Sequence, residues 1–202
     1  HTTAGSGAGA KTNEKAGGSL ISGLSPVGGG GLRGSGSAFQ AYDFLFTDGT
    51  SPTMGSQNNL IGVFNTQIGV ADVGVSLGVL MPELGTYTIN VWVGAFTATG
   101  QFTASAPGLT SFTDSSLVGN GNGDPRQGAL YTLTVSPQTA GDTLSLSYVQ
   151  TSITGGSANA EIAGVSVSFV PIPEPSSLLL CGGGLMAVLL ILKKQRSRAA
   201  LV

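Results

Sequence analysis

Few residues in this chain offer chemistry. His1 is the only histidine and Cys181 the only cysteine, so a Ser-His-Asp arrangement or a histidine-rich zinc site lacks its materials. Carboxylates are more numerous. Asp43, Asp48, Asp72, Glu83, Asp114, Asp124, Asp142 and Glu161 form a set from which folding can assemble the acid–base pair of a polysaccharide hydrolase. Most of them read as turn or strand-end positions, where solvation accounts for them, so a hydrolase is the weakest reading and no catalytic residue is assigned. Asn120-Gly121-Asn122-Gly123-Asp124 alternates oxygen-bearing side chains with glycine, as calcium loops do. No Glu closes it at the required distance, and Pro125-Arg126 follows at once. A polar turn explains it, so no metal and no cofactor are expected. Trp92 offers different chemistry. With Asn90 and Phe96 on the same strand face, its indole can stack on the apolar side of a sugar ring while polar neighbours bond the hydroxyls. The competing reading is a central strand buried on both faces, with Trp92 as plain core.

The elements that must position these residues are strands. Tyr42, Phe44 and Phe46 alternate with polar or smaller residues, and Asp48-Gly49 supplies a turn. Leu60–Phe64 and Val73–Met81 follow, the second with Val73, Val75, Leu77, Val79 and Met81 on one face. Thr86–Thr97 sets Tyr87, Ile89, Val91 and Val93 against Thr88, Asn90, Trp92 and Phe96. Gln101–Ala106, Leu130–Val135, Thr143–Val149 and Glu161–Val170 continue the period of two. A short strand is also expected at Ser19–Ser22, followed by the glycine cluster Gly28–Gly31. That cluster is not a phosphate loop, because no Gly-x-x-x-x-Gly-Lys-Ser/Thr spacing accompanies it. Eight or nine short strands with turns between them predict an all-β fold, an antiparallel two-sheet sandwich of jelly-roll type.

Composition agrees. Charged residues are 9% of the 202, hydrophobic residues 41%, with 33 glycines and a net charge of −2. Apolar content is too high for disorder, and the scarcity of basic residues outside the C-terminus argues against nucleic acid. About 170 residues suffice for one domain with a core that needs no disulfide.

The C-terminal stretch is organised differently. Pro171, Pro173 and Pro175 stiffen an exposed segment. Leu178–Leu192 is an uncharged apolar run, near the lower limit for a bilayer span. Lys193, Lys194, Arg196 and Arg198 follow it and place the end of the chain on the cytoplasmic side. At Pro173-Glu174-Pro175-Ser176, the glycine-bearing apolar run and the basic end, this tail resembles the PEP-CTERM sorting signal. The resemblance implies recognition by exosortase, a membrane protease-transpeptidase, and an exported protein of bacteria that make exopolysaccharide or biofilm matrix. His1-Thr-Thr-Ala-Gly is polar from its first residue, so a leader is expected upstream of the sequence given. A second, looser resemblance lies in Ala140–Tyr148 followed by Gly155–Val167, which is similar to the closing hairpin of galactose-binding-like sandwiches and implies fold only.

The organisation expected is therefore residues 1–170 as an exported β-sandwich, 171–177 as sorting motif and linker, 178–192 as a single transmembrane helix, and 193–202 as a basic cytoplasmic tail. The chain would pass through the inner membrane with its sandwich on the periplasmic side and end at the cell surface or outside. Two functions stay open. One is a matrix protein that binds carbohydrate such as exopolysaccharide through Trp92, Asn90 and Phe96. The other is a structural subunit that self-associates through Thr/Ser/Gly-rich surfaces.

Overall fold

A computed structural model describes residues 20–35, 42–46, 55–60, 62–119 and 126–172. The expected transmembrane helix, the sorting motif and the Asn120–Asp124 loop lie outside the described residues, among which no helix is long and apolar enough to cross a membrane. The sandwich belongs to the unit His1–Val170.

The described residues are all-β. In chain order the strands are β1 (Ser25–Val27), β2 (Leu32–Ser35), β3 (Tyr42–Phe46), β4 (Gly55–Leu60), β5 (Gly62–Asn65), β6 (Val73–Met81), β7 (Gly85–Phe96), β8 (Ala98–Ser105), β9 (Phe112–Val118), β10 (Arg126–Val135), β11 (Asp142–Ile153) and β12 (Asn159–Pro171). Two five-stranded sheets form, β1-β6-β11-β8-β9 and β10-β7-β12-β5-β2, with β3-β4 as a separate pair. The pairings β1–β6, β6–β11, β11–β8 and β8–β9 in the first sheet, and β10–β7, β12–β5 and β5–β2 in the second, are antiparallel. The expected two-sheet antiparallel sandwich is what the chain builds.

The alternation read from the sequence is the alternation of burial. Val75, Leu77, Val79 and Met81 of the first sheet face Tyr87, Ile89, Val91 and Val93 of the second, and none is more than 5% exposed. Leu144, Leu146 and Tyr148 add the β11 stripe. Phe102 of β8 stacks on Tyr131 of β10 at 4.2 Å between ring centroids, joining the sheets near the β9–β10 side. Apart from the half-buried Tyr131, these side chains are removed almost wholly from water, worth about 1.5–3 kcal/mol apiece, which is why the inward stripes admit almost no polar residue.

Three expectations need correction. Leu60–Phe64 is not one strand: β4 ends at Leu60 and β5 starts at Gly62, in a different sheet. Gly62 has φ +112, a conformation closed to residues with a Cβ, and the chain changes sheets there. Phe112–Val118, where the alternation predicts no strand, is edge strand β9. Its residues are mostly exposed, so no apolar stripe betrays it. Ser19–Ser22 contributes only an isolated bridge, Ile21 to Val79, while β1 and β2 flank the glycine cluster. Gly28, Gly29 and Gly30 all have positive φ, which suits them to the tight reversal between those two strands.

Candidate functional site

Because odd positions of β7 fill the core, its even positions occupy the outer face of the second sheet. Trp92 lies there, half-buried between Val91 and Val93. It is neither core on both sides nor fully open. Its cross-strand partner on β10 is Leu130, 51% exposed. The next register pair is Asn90 with Thr132. The Thr132 hydroxyl donates to Asn90 Oδ1 at 2.8 Å, and Asn90 Nδ2 donates to Ser166 Oγ of β12 at 3.3 Å. An apolar row, Leu130–Trp92, thus borders a polar row, Thr132–Asn90–Ser166. One row further, Thr134 pairs with Thr88, and Ser168 Oγ approaches Thr88 O at 3.5 Å. Phe96 shares the parity of Trp92 at the far end of β7, opposite Arg126, and is half-buried. Trp92, Asn90 and Phe96 therefore share one face. Gly94 between Trp92 and Phe96 keeps that face shallow.

That gap is filled from β12. A Cβ on Gly94 would stand 2.7 Å from Glu161 Oε1, so the Glu161 carboxylate lies on this same outer face. Glu161 pairs with Phe64 of β5, which is 6% exposed, and is itself only 1% exposed. Solvation does not account for Glu161, and its expected placement at a solvated strand end is corrected: it is a buried carboxylate in a mid-sheet row with Phe64 and Gly94.

The outer face of the first sheet is chemically different. Ser25 pairs with Ser76, Ser76 with Ser147, Ser147 with Thr103 and Thr103 with Thr113. Five strands thus each supply one hydroxyl to a single row, spaced by the inter-strand distance of about 4.8 Å. Ser145 and Ser105 begin a parallel row, and Gly78 N–H donates to Ser22 Oγ at 2.7 Å. All of these side chains except Thr113 line a shallow trough of about 320 Å³ with no charge and no aromatic ring.

Two further polar features escaped sequence reasoning. At the end of the sandwich where β6 begins, Asn65 and Gln150 are buried at 3% and 1% exposure. Asn65 Nδ2 donates to Val27 O at 2.9 Å and Gly29 O at 2.7 Å, while Gln150 Nε2 donates to Gln67 O at 3.4 Å and to Val70 O. They fasten the 66–72 and 28–31 loops. The signal existed: Gln150 continues the inward stripe Leu144–Leu146–Tyr148, and a polar residue there needs a reason. On the β9–β10 side, the Tyr131 hydroxyl donates to Asp114 Oδ2 at 2.6 Å and the Ser116 hydroxyl at 2.7 Å. Those bonds, Tyr131 first, hold the half-buried Asp114 carboxyl below the usual carboxylate range. Among the described residues no group of three or more His, Cys, Asp or Glu converges as a metal site would.

The class this geometry defines is a two-sheet antiparallel β-sandwich with one aromatic-bearing and one hydroxyl-bearing outer face. No family model and no curated protein matches the chain. Among solved structures it is similar to the enzymatically active domain of bacteriophage CBA120 tailspike protein 4, at 12% identity and TM-score 0.40, covering 75% of this chain and 20% of that one. It is also similar to TmCBM61 in complex with β-1,4-galactotriose, at 11% identity and TM-score 0.40, over 69% of this chain and 87% of that one. A third is the C-terminal CBM6 of LamC from Zobellia galactanivorans, at 16% identity and TM-score 0.31, over 72% and 98%. The chain spans a fifth of the tailspike domain's length and most of the two carbohydrate-binding modules.

Proposed function

We propose that this chain is an exported, non-enzymatic β-sandwich of the cell surface or extracellular matrix that binds a neutral polysaccharide through the outer face of its second sheet. One observation carries the reading: the apolar row Leu130–Trp92 lies directly beside the amide and hydroxyl row Thr132–Asn90–Ser166. An indole favours the C–H face of a pyranose, and neutral amides and hydroxyls both donate to and accept from its hydroxyls. Neither row carries a charge, which suits a neutral glycan better than a phosphate or a uronic acid. The jelly-roll reading of the sandwich belongs to this proposal too. In it the tail is a PEP-CTERM signal cut by an exosortase, with the sandwich on the periplasmic side of the inner membrane beforehand. Glu174→Ala is expected to leave uncut chain in the membrane fraction of a host with an exosortase, and equal processing of both forms would refute the sorting signal.

The binding test is a glycan array and a melting curve on Trp92→Ala. Apolar ring contact contributes roughly 25 cal/mol per Å², so loss of the ring is expected to weaken binding at least tenfold, about 1.4 kcal/mol, with a modest change in melting. A stability loss of about 3–5 kcal/mol would instead mark Trp92 as scaffold.

The second reading is a structural subunit that self-associates without recognising sugar. The observation favouring it is the hydroxyl row Ser25–Ser76–Ser147–Thr103–Thr113 across the first sheet.

A further inference from the structure

Four described strands stand at the edges of the two five-stranded sheets, β1 and β9 in the first and β10 and β2 in the second. A sheet edge presents backbone N–H and C=O groups to any strand that can pair with it, and folded proteins blunt such edges with short strands, proline, charge or a bulge. Three of these four are blunted. β1 has three residues and includes Pro26, and β2 has four and includes Arg33. β9 carries Asp114 and breaks register with β8 between Gly100 and Phe102. β10 has none of these devices. It keeps register with β7 through ten consecutive residues, holds no proline, and bears no charge after Arg126. It is also held in place. The Tyr131 hydroxyl donates to Asp114 Oδ2 at 2.6 Å and the Tyr131 ring stacks on Phe102, tying β10 to the other sheet. At the middle of this edge Leu130 is 51% exposed.

We propose that two copies of this chain pair antiparallel through β10, about a two-fold axis at Leu130, and join their second sheets into one. The strand's own sequence selects the occupant. A partner for this edge must itself be an unbroken strand with almost no charge, and β10 of a second copy is one. In that register Leu130 meets Leu130 of the second copy, Gly128 meets its Thr132, and Arg126 meets its Thr134. Like charges directly opposite would be destabilising, and none are opposed. Opposed residues share a face, so the axis falls on a residue and not between two. An axis at Tyr131 would set Leu130 against Thr132, whereas an axis at Leu130 covers the exposed leucine with its own copy.

The interface rests on the edge alone, and its use rests on the glycan reading of Trp92. In one copy the apolar row Leu130–Trp92 has the polar row Thr132–Asn90 on one side and the glycine pair Gly128–Gly94 on the other. Across the axis Trp92–Leu130 runs on into Leu130–Trp92 of the second copy, and Asn90–Thr132 runs on into its Gly128–Gly94. Polar groups then flank the apolar row on both sides. The two Trp92 positions stand about 14 Å apart, three inter-strand steps. Such a surface is one platform for a long polysaccharide chain, of which a single copy presents half.

The test uses the full chain in detergent micelles, with C181S removing the native thiol and single cysteines introduced by L130C or I68C. Opposed residues have Cα atoms about 4.5–5.5 Å apart, inside the range that a disulfide spans. Ile68, 41% exposed in the 66–72 loop, measures free collision. L130C is expected to cross-link to itself at least about tenfold faster than I68C, because pairing raises the effective concentration of the thiols. Sedimentation equilibrium reads the charge at Thr134. T134K opposes a positive charge to Arg126 and is expected to weaken the dimer at least about threefold, while T134E strengthens it by a similar factor. Equal cross-linking of L130C and I68C, or equal dimer affinity in T134K and T134E, overturns the pairing. If a mixture of L130C and T132C cross-links and L130C alone does not, the axis lies at Tyr131 and the shared platform is overturned. A dimer that binds no glycan on the array refutes the sugar reading and leaves the interface. A monomer that binds glycan refutes the interface and leaves the sugar reading.

Discussion

The two outer faces of this sandwich come from the same strand alternation and end in different chemistry. The face of the first sheet is a row of small hydroxyls, Ser25, Ser76, Ser147, Thr103 and Thr113, the first four of them lining a trough of about 320 Å³. The face of the second holds Trp92 and Leu130, a tethered Asn90, and a carboxylate, Glu161, at 1% exposure beside Gly94. The inward stripes of both sheets are nearly interchangeable, since both must fill one apolar core. The outward positions are released from that demand and can differ. The first face is smooth and open, and the second is partly packed. That contrast separates a surface able to recognise a ring from one able only to offer hydrogen bonds.

The contrast can be broken most strongly at glycine. Gly94→Ala forces a Cβ against the Glu161 carboxylate, whose Cδ would lie at 3.2 Å, and is expected to cost about 1–3 kcal/mol in chemical denaturation. On the other face Gly78→Ala meets only Thr143 Cγ2 at 3.0 Å and Ser22 Oγ at 3.6 Å, both on exposed side chains that can move. Its expected change is within about 0.5 kcal/mol. Equal losses would show that the two faces are equally packed.

A smaller effect is expected at the hydroxyl row. Ser147→Ala should leave stability within about 0.5 kcal/mol of the parent and leave glycan binding unchanged. If the hydroxyl row mediates self-association, the same variant lowers the sedimentation coefficient of concentrated protein. Lost glycan binding in this variant, with Trp92→Ala unaffected, would move the ligand site from the second face to the first.

The smallest effect concerns the side where both faces meet. Hydrogen bonds from Tyr131 and Ser116 depress the Asp114 carboxyl. A depressed carboxylate contributes stability that is fully present above its unfolded pKa and is lost as pH falls through the lower folded value. Acid melting curves are therefore expected to flatten in Asp114→Asn. Parent and variant curves that stay parallel through the acid range would remove Asp114 from the account.

The sequence by itself determined the class of fold and the inward stripes. Leu144, Leu146 and Tyr148, or Tyr87, Ile89, Val91 and Val93, alternate because an apolar core and a period-two pleat leave no other arrangement. It also placed Trp92, Asn90 and Phe96 on one face, since parity along a strand is local. It misread Leu60–Phe64 as one strand, because Gly62 resembles a strand residue until its φ of +112 is known. It missed β9, whose mostly exposed polar residues owe their strand form to pairing with β8. Only the tertiary structure decided that Glu161 would be buried rather than solvated, that Asn90 would be held by Thr132 and Ser166, and that five hydroxyls would form one row. Each of these depends on which residue of a distant strand lies opposite. Register between strands is set by the packing of the whole sandwich and leaves no local mark on the chain.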